Sequence, residues 1–394
     1  MLNEKMIALG TERSVIRELF EYGNARAAVV GRENVFDFSL GNPSVPAPAS
    51  VNEEIIRLCR ESDSVQLHGY TSAPGAPAAR EAIAASIRAK QGLDVTADNL
   101  LLTCGAAASL CAALHGLCNP GDEVVVLAPY FPEYRVFIQK AGAVMVTVPA
   151  DVEHFQIPFE ALERALSPRT KAVLINSPNN PSGAVYSADT LRTLADLLRR
   201  KSAEYGAPIY LLSDEPYRDI VYDGAVVPCV PKFYEDTVVC YSYSKSLSLP
   251  GERIGYILVP DFCAQAKLVY AACAGAARAM GYVCAPSLMQ QVLRRCCGET
   301  ADLSVYAENR RLLLEGFRSV GIHCVAPQGA FYLFPRTPVP DDVAFAEEAK
   351  KLDLLVVPGT GFGCPGHVRV SYCVSTEMVR RSLPVFAKLM ERYR

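Results

Sequence analysis

The chain has 394 residues, half of them hydrophobic, with 14 cysteines, no tryptophan and a mean hydropathy of +0.14, enough for a large core in two domains or one big α/β unit. A formal net charge of −3 and a pI near 6.0 supply no basic field for nucleic acid, and no block of Lys and Arg is long enough to make a local one. The cysteines form no C-x-x-C pair and the five histidines are scattered, which argues against zinc and, at this length, against a disulfide framework; reduced, buried thiols in a cytosolic protein fit best.

In chain order, MLNEKMIALGTER carries charges inside its apolar stretch, so no signal peptide is expected. A helix is expected around Ser14–Val30, joining the C-terminal part of the chain in space. The longest apolar stretch, Leu100–Cys118, is broken by Thr103, Gly105, Ser109, His115 and Gly116. It reads as strand LLTC (Leu101–Cys104) followed by helix Ala106–Leu117, not as a membrane span. Cys104, Cys111 and Cys118 recur there at heptad spacing, so they could share one buried helix face. The turn NPGDE (Asn119–Glu123) ends that helix. Further strands are expected at EVVVLA (Glu123–Ala128), AVMVTV (Ala143–Val148), AVLIN (Ala172–Asn176), IYLLS (Ile209–Ser213), TVVCYS (Thr237–Ser242) and IGYILV (Ile254–Val259), with a helix over Ser187–Tyr205. These runs are near-continuously apolar, as strands covered on both faces are, and their alternation with helices predicts a mostly parallel sheet wrapped in helices.

After about residue 290 the texture changes. An amphipathic stretch (Ala301–Val320) precedes short strands near HCVA, AFYLF, LLVV and HVRVSY and a closing helix, which reads as a smaller α+β domain. The expected division is an N-terminal arm over 1–35, a large ligand-binding domain over 36–290 and a small C-terminal domain over 291–394.

In open α/β sheets ligands sit at the carboxyl ends of the strands, so the residues just past each strand are the informative ones. Past LLTC, Gly105-Ala106-Ala107 opens a helix whose free N–H groups suit an anion such as phosphate, although most such helix starts bind nothing. Past AVLIN, SPNNPSG (Ser177–Gly183) is a turn on any reading, and Asn180 could present an amide to a ligand. Past IYLLS, the carboxylate of DEPY (Asp214–Tyr217) is either a helix cap or, in a cleft, a group that needs a cation. Past TVVCYS comes Lys245, flanked by Ser242 and Ser244 and followed by Arg253 between glycines. A lysine in a low-dielectric cleft loses its proton readily and attacks carbonyls, while hydroxyls and a guanidinium suit phosphate. Arg369, in the apolar strand HVRVSY, is either half of a structural ion pair or a fork for a carboxylate. One ligand satisfies the ordered set. It carries a phosphate (Gly105–Ala107, Ser242, Arg253), a ring cation (Asp214), a phenolic oxygen (Asn180, Tyr217) and an aldehyde (Lys245). Pyridoxal phosphate has all four.

The motifs SPNNPSG, DEPY and S-x-S-K followed by G-x-R-x-G, in this order and spacing, resemble the class I/II aminotransferases, the aspartate-aminotransferase-like family of fold type I pyridoxal-phosphate enzymes. The likeness runs from DFSLGNPSVPAP (Asp37–Pro48) to VRVSYCVSTE (Val368–Glu377). It implies that Lys245 bonds covalently to the cofactor and that Asp214 pairs with its ring nitrogen. Asn180 and Tyr217 would hold its phenolic oxygen, and Phe131, in PYFPEY, would stack on its ring. The amides of Ala106 and Ala107, with Ser242 and Arg253, would take the phosphate. Tyr70, in HGYTSAPG, matches a tyrosine that reaches the neighbouring subunit's cofactor, implying a homodimer with composite sites. Arg369, beside the Gly41 backbone, would clamp the substrate α-carboxylate. The implied reaction is ping-pong transamination between an L-amino acid and a 2-oxoacid, in the cytoplasm, with no nucleic acid, membrane or metal.

The chain departs from the family at Ala106 and Ala107, where many relatives place a Ser or Thr hydroxyl; backbone amides would then act alone. Arg278 lies near where aspartate-specific relatives supply, from the other subunit, an arginine for a distal carboxylate, so aspartate or glutamate competes with neutral or aromatic donors. The main rival activity is a carbon–sulfur β-lyase of the same cofactor class, whose members tend to replace the G-x-R-x-G arginine that is Arg253 here. A non-enzymatic regulatory module would carry a DNA-binding domain, for which the residues before Asp37 leave no room. A dinucleotide oxidoreductase lacks its G-x-G-x-x-G after an early strand.

Overall fold

A computed structural model of the chain describes residues 2–11 and 14–393. The signal-peptide reading of residues 1–13 therefore falls partly outside the described residues.

Seven strands form the main sheet: β1 (Leu100–Thr103), β2 (Glu123–Leu127), β3 (Val144–Val148), β4 (Thr170–Asn176), β5 (Tyr210–Asp214), β6 (Thr237–Ser242) and β7 (Gly255–Leu258). Their order is β1-β7-β6-β5-β4-β2-β3. β2, β3, β4, β5 and β6 pair in parallel, and β7 runs antiparallel to both β6 and β1. The expected α/β class with a mostly parallel sheet is the one observed, with β7 as the single reversed strand.

The apolar runs are continuous because both faces are covered. Successive strand residues point to opposite sides. Val124, Val126, Leu174, Leu212 and Val238 pack under the helices Ala106–Leu117 and Ala266–Ala279. Val125, Leu127, Val173, Ile175 and Leu211 pack under Ala188–Tyr205 and Phe159–Ala165. Ser187 caps the helix Ala188–Tyr205 by accepting from the Thr190 N–H, and Gly206 ends it in the left-handed region at φ 69°. β3 is as apolar in sequence as its neighbours, yet as the terminal strand it buries only Val148.

The C-terminal part holds a three-stranded antiparallel sheet of Tyr332–Leu333, Val357–Pro358 and Val368–Ser371. The helices Ser304–Val320 and Thr376–Glu391 pack beside it through Leu313, Phe317, Val379 and Phe386. Phe36–Asp37 pairs in parallel with Leu354–Leu355, and Phe38 and Val45 enter the same core. The helix Val15–Val30 buries Leu19 against Phe334, Leu355 and Val357. HCVA is not a strand: His323 accepts one bond from the Arg336 N–H, too little to make a ladder.

The cysteines are also less uniform than their apolar surroundings suggest. Only Cys111 of the heptad-spaced trio lies within a helix, because that helix starts at Ala106 and Cys118 is its C-cap. Cys59 is exposed and seven others are half-buried. No helix among the described residues is long and apolar enough to cross a membrane.

Candidate active site

Parallel strands deliver their last residues to one edge of the sheet, and register decides which residues become neighbours. Asn176 at the end of β4 sits opposite Asp214 at the end of β5, and Asp214 opposite Cys240 in β6. Two residues on, Ser242 ends β6 and caps the single turn Tyr243–Ser246, which carries Lys245. Because β7 runs the other way, it begins at this same edge, and Arg253 arrives just before it. Thr103 of β1 and Ser242 of β6 both face Gly255. A side chain at Gly255 would place its Cβ 2.2 Å from the Tyr241 carbonyl oxygen and 2.9 Å from the Gly105 α-carbon, so the close approach demands glycine.

The edge opens into a cavity of about 260 Å³. Of the residues singled out in the sequence, Gly41, Ala106, Ala107, Phe131, Asn180, Asp214, Tyr217, Ser242, Lys245, Arg253 and Arg369 all line it. Gly105 lies just behind: at φ +90° it turns the chain into the helix, and a Cβ there would stand 3.1 Å from Arg253 Nη2 and 3.4 Å from Ser242 Oγ. The helix start at Ala106, the Ser242 hydroxyl and the Arg253 guanidinium thus meet in one corner whose donors suit an anion. Two candidates are not brought in. Tyr70 is fully exposed, and Arg278 lies exposed on the helix Ala266–Ala279, outside the cavity of its own chain.

Asp214 is buried, with 5% of its surface exposed. No helix begins at it, so it is not a cap. Its Oδ2 accepts from Tyr134 Oη at 2.5 Å, while its Oδ1 has no partner among the described residues. Burial pushes this carboxyl up to about 7; the Tyr134 hydrogen bond pulls it down and the neighbouring Glu215 pushes it further up. An acceptor stranded in this way calls for a donor from a ligand, and a ring N–H⁺ would supply both the hydrogen and the charge.

Lys245 Nζ donates to the Gly41 carbonyl at 2.7 Å and lies 5.6 Å from the Phe331 ring centre. Burial pulls it down to about 8, and the charges of Arg253 and Arg369 act in the same direction. At neutral pH about a tenth of this amine is therefore unprotonated and able to attack a carbonyl carbon, far more than for an ordinary lysine.

Arg369 is 2% exposed and pairs with no carboxylate among the described residues, which removes the structural ion-pair reading. It donates to Asn180 Oδ1 at 3.1 Å and to the Ser39 carbonyl at 2.5 Å, and its Nε has no partner among the described residues. The guanidinium lies between the Tyr332 and Phe362 rings, 4.8 and 5.0 Å from their centres. Burial lowers its proton affinity. A desolvated, under-satisfied cation facing a cavity is a receptor for an anion, and a planar fork suits a carboxylate.

Several contributing residues carry weaker sequence signals. Tyr134 holds Asp214, Asn176 accepts from the Asn180 N–H at 2.7 Å and donates to the Asp214 carbonyl at 2.8 Å, and Tyr332 meets Tyr217 hydroxyl to hydroxyl at 2.8 Å. Asn176 could have been found as the polar end of an otherwise apolar strand. Tyr134 and Tyr332 sit in aromatic-rich runs that read equally well as core.

The cavity therefore joins an anion corner, an unsatisfied buried carboxylate, a reactive amine and a carboxylate fork, and these fit pyridoxal phosphate and an amino acid together. Comparison with known proteins agrees. Residues 33–385 match the family described as aminotransferase class I and II. The aspartate/prephenate aminotransferase of Thermus thermophilus is 35% identical, over 94% of this chain and 95% of that one. The aspartate aminotransferase of Thermotoga maritima is 32% identical over 91% and 92%. Among solved structures, an aminotransferase from Eubacterium rectale superposes with a TM-score of 0.98 at 56% identity, over 100% of this chain and 99% of that one. The Thermus thermophilus aspartate aminotransferase with maleate gives 0.85 at 30%, over 99% of each chain. This chain belongs to the class I and II aminotransferases, a family that uses pyridoxal phosphate, and its activity is amino-group transfer.

Proposed function

We propose that the chain holds pyridoxal 5′-phosphate in this cavity through the residues described above and moves an amino group between an L-amino acid and a 2-oxoacid in two half-reactions. The observation that carries the reading is that one cavity holds both an amine pulled down to about 8, on the turn just past β6, and a carboxylate, at the end of the adjacent β5, whose buried Oδ1 has no partner among the described residues.

Ala106, Ala107, Ser242 and Arg253 hold the phosphate, Phe131 packs on the ring, and Asn180 and Tyr217 address its phenolic oxygen. Asp214 keeps the ring nitrogen protonated. When bound, the cofactor supplies an electrophilic aldehyde carbon and a cationic ring that accepts the electron pair left behind when the substrate α-proton departs. Arg369 and the Gly41 backbone orient the substrate by its α-carboxylate. Lys245 Nζ, facing the cavity and pulled down to about 8, would be the group that takes the substrate α-proton and gives it back.

The names of the relatives make aspartate the first donor to try. Arg278 lies outside its own cavity, so its proposed contact with a distal carboxylate would cross a subunit interface, as would that of Tyr70 with a partner's phosphate. The full exposure of Tyr70 in the isolated chain supports a homodimer.

Incubation with pyridoxal phosphate should colour the protein, and borohydride reduction should fix the label on the Lys245 peptide. A colourless protein, or label on another peptide, refutes the proposal. A panel of amino-acid donors with 2-oxoglutarate then identifies the substrate.

A further inference from the structure

Tyr332 is not required by the chemistry above, yet it touches three parts of the site. Its hydroxyl lies 2.8 Å from Tyr217 Oη, and its ring lies under the Arg369 guanidinium at 4.8 Å. It also packs so tightly on Gly41 that a Cβ there would stand 2.0 Å from Tyr332 Oη. Gly41 in turn accepts the Lys245 amine. The position is fixed by the small sheet, in which Tyr332 pairs with Ser371 two residues beyond Arg369. Both phenols are buried, and among the described residues neither hydroxyl has another polar partner.

We infer that Tyr332 is a positioning residue: its hydroxyl donates to Tyr217 and so commits the single Tyr217 proton to the cofactor's phenolic oxygen. The inference rests on the proposal that Tyr217 faces that oxygen. Two phenols in contact have two protons and one shared bond. If Tyr217 donated to Tyr332, nothing would remain for the cofactor. With the cofactor bound, the order must be Tyr332 to Tyr217 to cofactor oxygen, and each donor in such a chain strengthens the next. Donation to the phenolic oxygen favours the state in which it carries charge without a shared proton. The hydroxyl of Tyr332 therefore holds down the pH at which the lysine-bound chromophore loses its proton.

The test is a pH titration of the visible absorption band of the cofactor-loaded protein. Tyr332→Phe should raise the midpoint by about 0.5–1 pH unit. It should leave the KM for the amino-acid substrate nearly unchanged, because the ring under Arg369 remains. Tyr332→Leu, which removes that ring, should raise KM as well. Tyr217→Phe should raise the midpoint at least as far as Tyr332→Phe, and the double Phe variant no further than Tyr217→Phe alone. An unmoved midpoint in Tyr332→Phe beside a raised one in Tyr217→Phe overturns the inference and leaves the cofactor reading intact, as does full additivity in the double variant. An unmoved midpoint in Tyr217→Phe removes Tyr217 from the phenolic oxygen, and the inference falls with it.

Discussion

Replacing Asp214 by Asn should make the cofactor-free protein more stable and the enzyme nearly inactive. Burial raises this carboxyl from 3.8 to about 7, so the folded state binds its proton more tightly than the unfolded chain does. Stability is then lost as pH rises from the unfolded value through the folded one. The loss is roughly 2 kcal/mol at pH 5 and reaches about 4 kcal/mol at pH 8. Asn keeps the shape and can still accept from Tyr134, but it carries no charge to desolvate. Urea denaturation of cofactor-free wild type and Asp214→Asn, at fixed protein concentration, should show the variant ahead at pH 8 by a margin that shrinks by about 2–3 kcal/mol on going to pH 5. Bound pyridoxal phosphate should narrow the difference, since a ring cation compensates the wild-type charge alone. A margin independent of pH would refute the reasoning, because it would mean that the carboxylate is not desolvated in the fold.

Other substitutions probe the remaining groups. Lys245→Ala should retain cofactor non-covalently and lose at least about 10²-fold in kcat; covalent capture by wild type should quicken as pH rises through about 8, where Lys245 becomes neutral. Near-normal turnover in steady-state assays would remove the lysine from proton transfer. Arg369→Ala should raise the KM for α-carboxylate substrates at least about 30-fold, the equivalent of about 2 kcal/mol for a buried charged contact; an unchanged KM rejects the clamp. Tyr134→Phe removes the bond that pulls the Asp214 carboxyl down, so that group should climb above about 7. Cofactor affinity, measured by fluorescence titration, should drop about tenfold at pH 7 and recover by pH 9, where the carboxylate is ionised in both proteins. A deficit constant with pH would point to lost packing instead.

The legibility of this protein followed the range of the forces involved. Strands and helices of the main sheet could be read because they depend on local patterns: buried apolar runs, the Ser187 cap and the NPGDE turn. The failures were cases in which neighbours outside the local segment decide. HCVA has strand-like residues but only a single backbone bond, to Arg336, among the described residues, and β3 has the composition of a central strand but stands at the edge. The reversal of β7 is equally silent in composition, yet it alone brings Arg253 to the same edge as Ser242.

The site divides in the same way. Residue types just past strand ends, in their order along the chain, were sufficient to name a ligand with a phosphate, a ring nitrogen, a phenolic oxygen and an aldehyde, because each of those groups demands a particular side-chain chemistry. Sequence could not supply the electrostatics. Asp214 and Lys245 depart from their ordinary proton affinities because tertiary packing excludes water from them, and Arg369 remains available because no carboxylate of the described fold reaches it. Tyr134 and Tyr332 look like ordinary core aromatics along the chain. What makes them part of the site is where their hydroxyls end, and that depends on strands more than a hundred residues apart for Tyr217 and Tyr332. The sequence determined which chemistry is present; the fold decided which groups are dry, which are paired, and which are left facing the cavity.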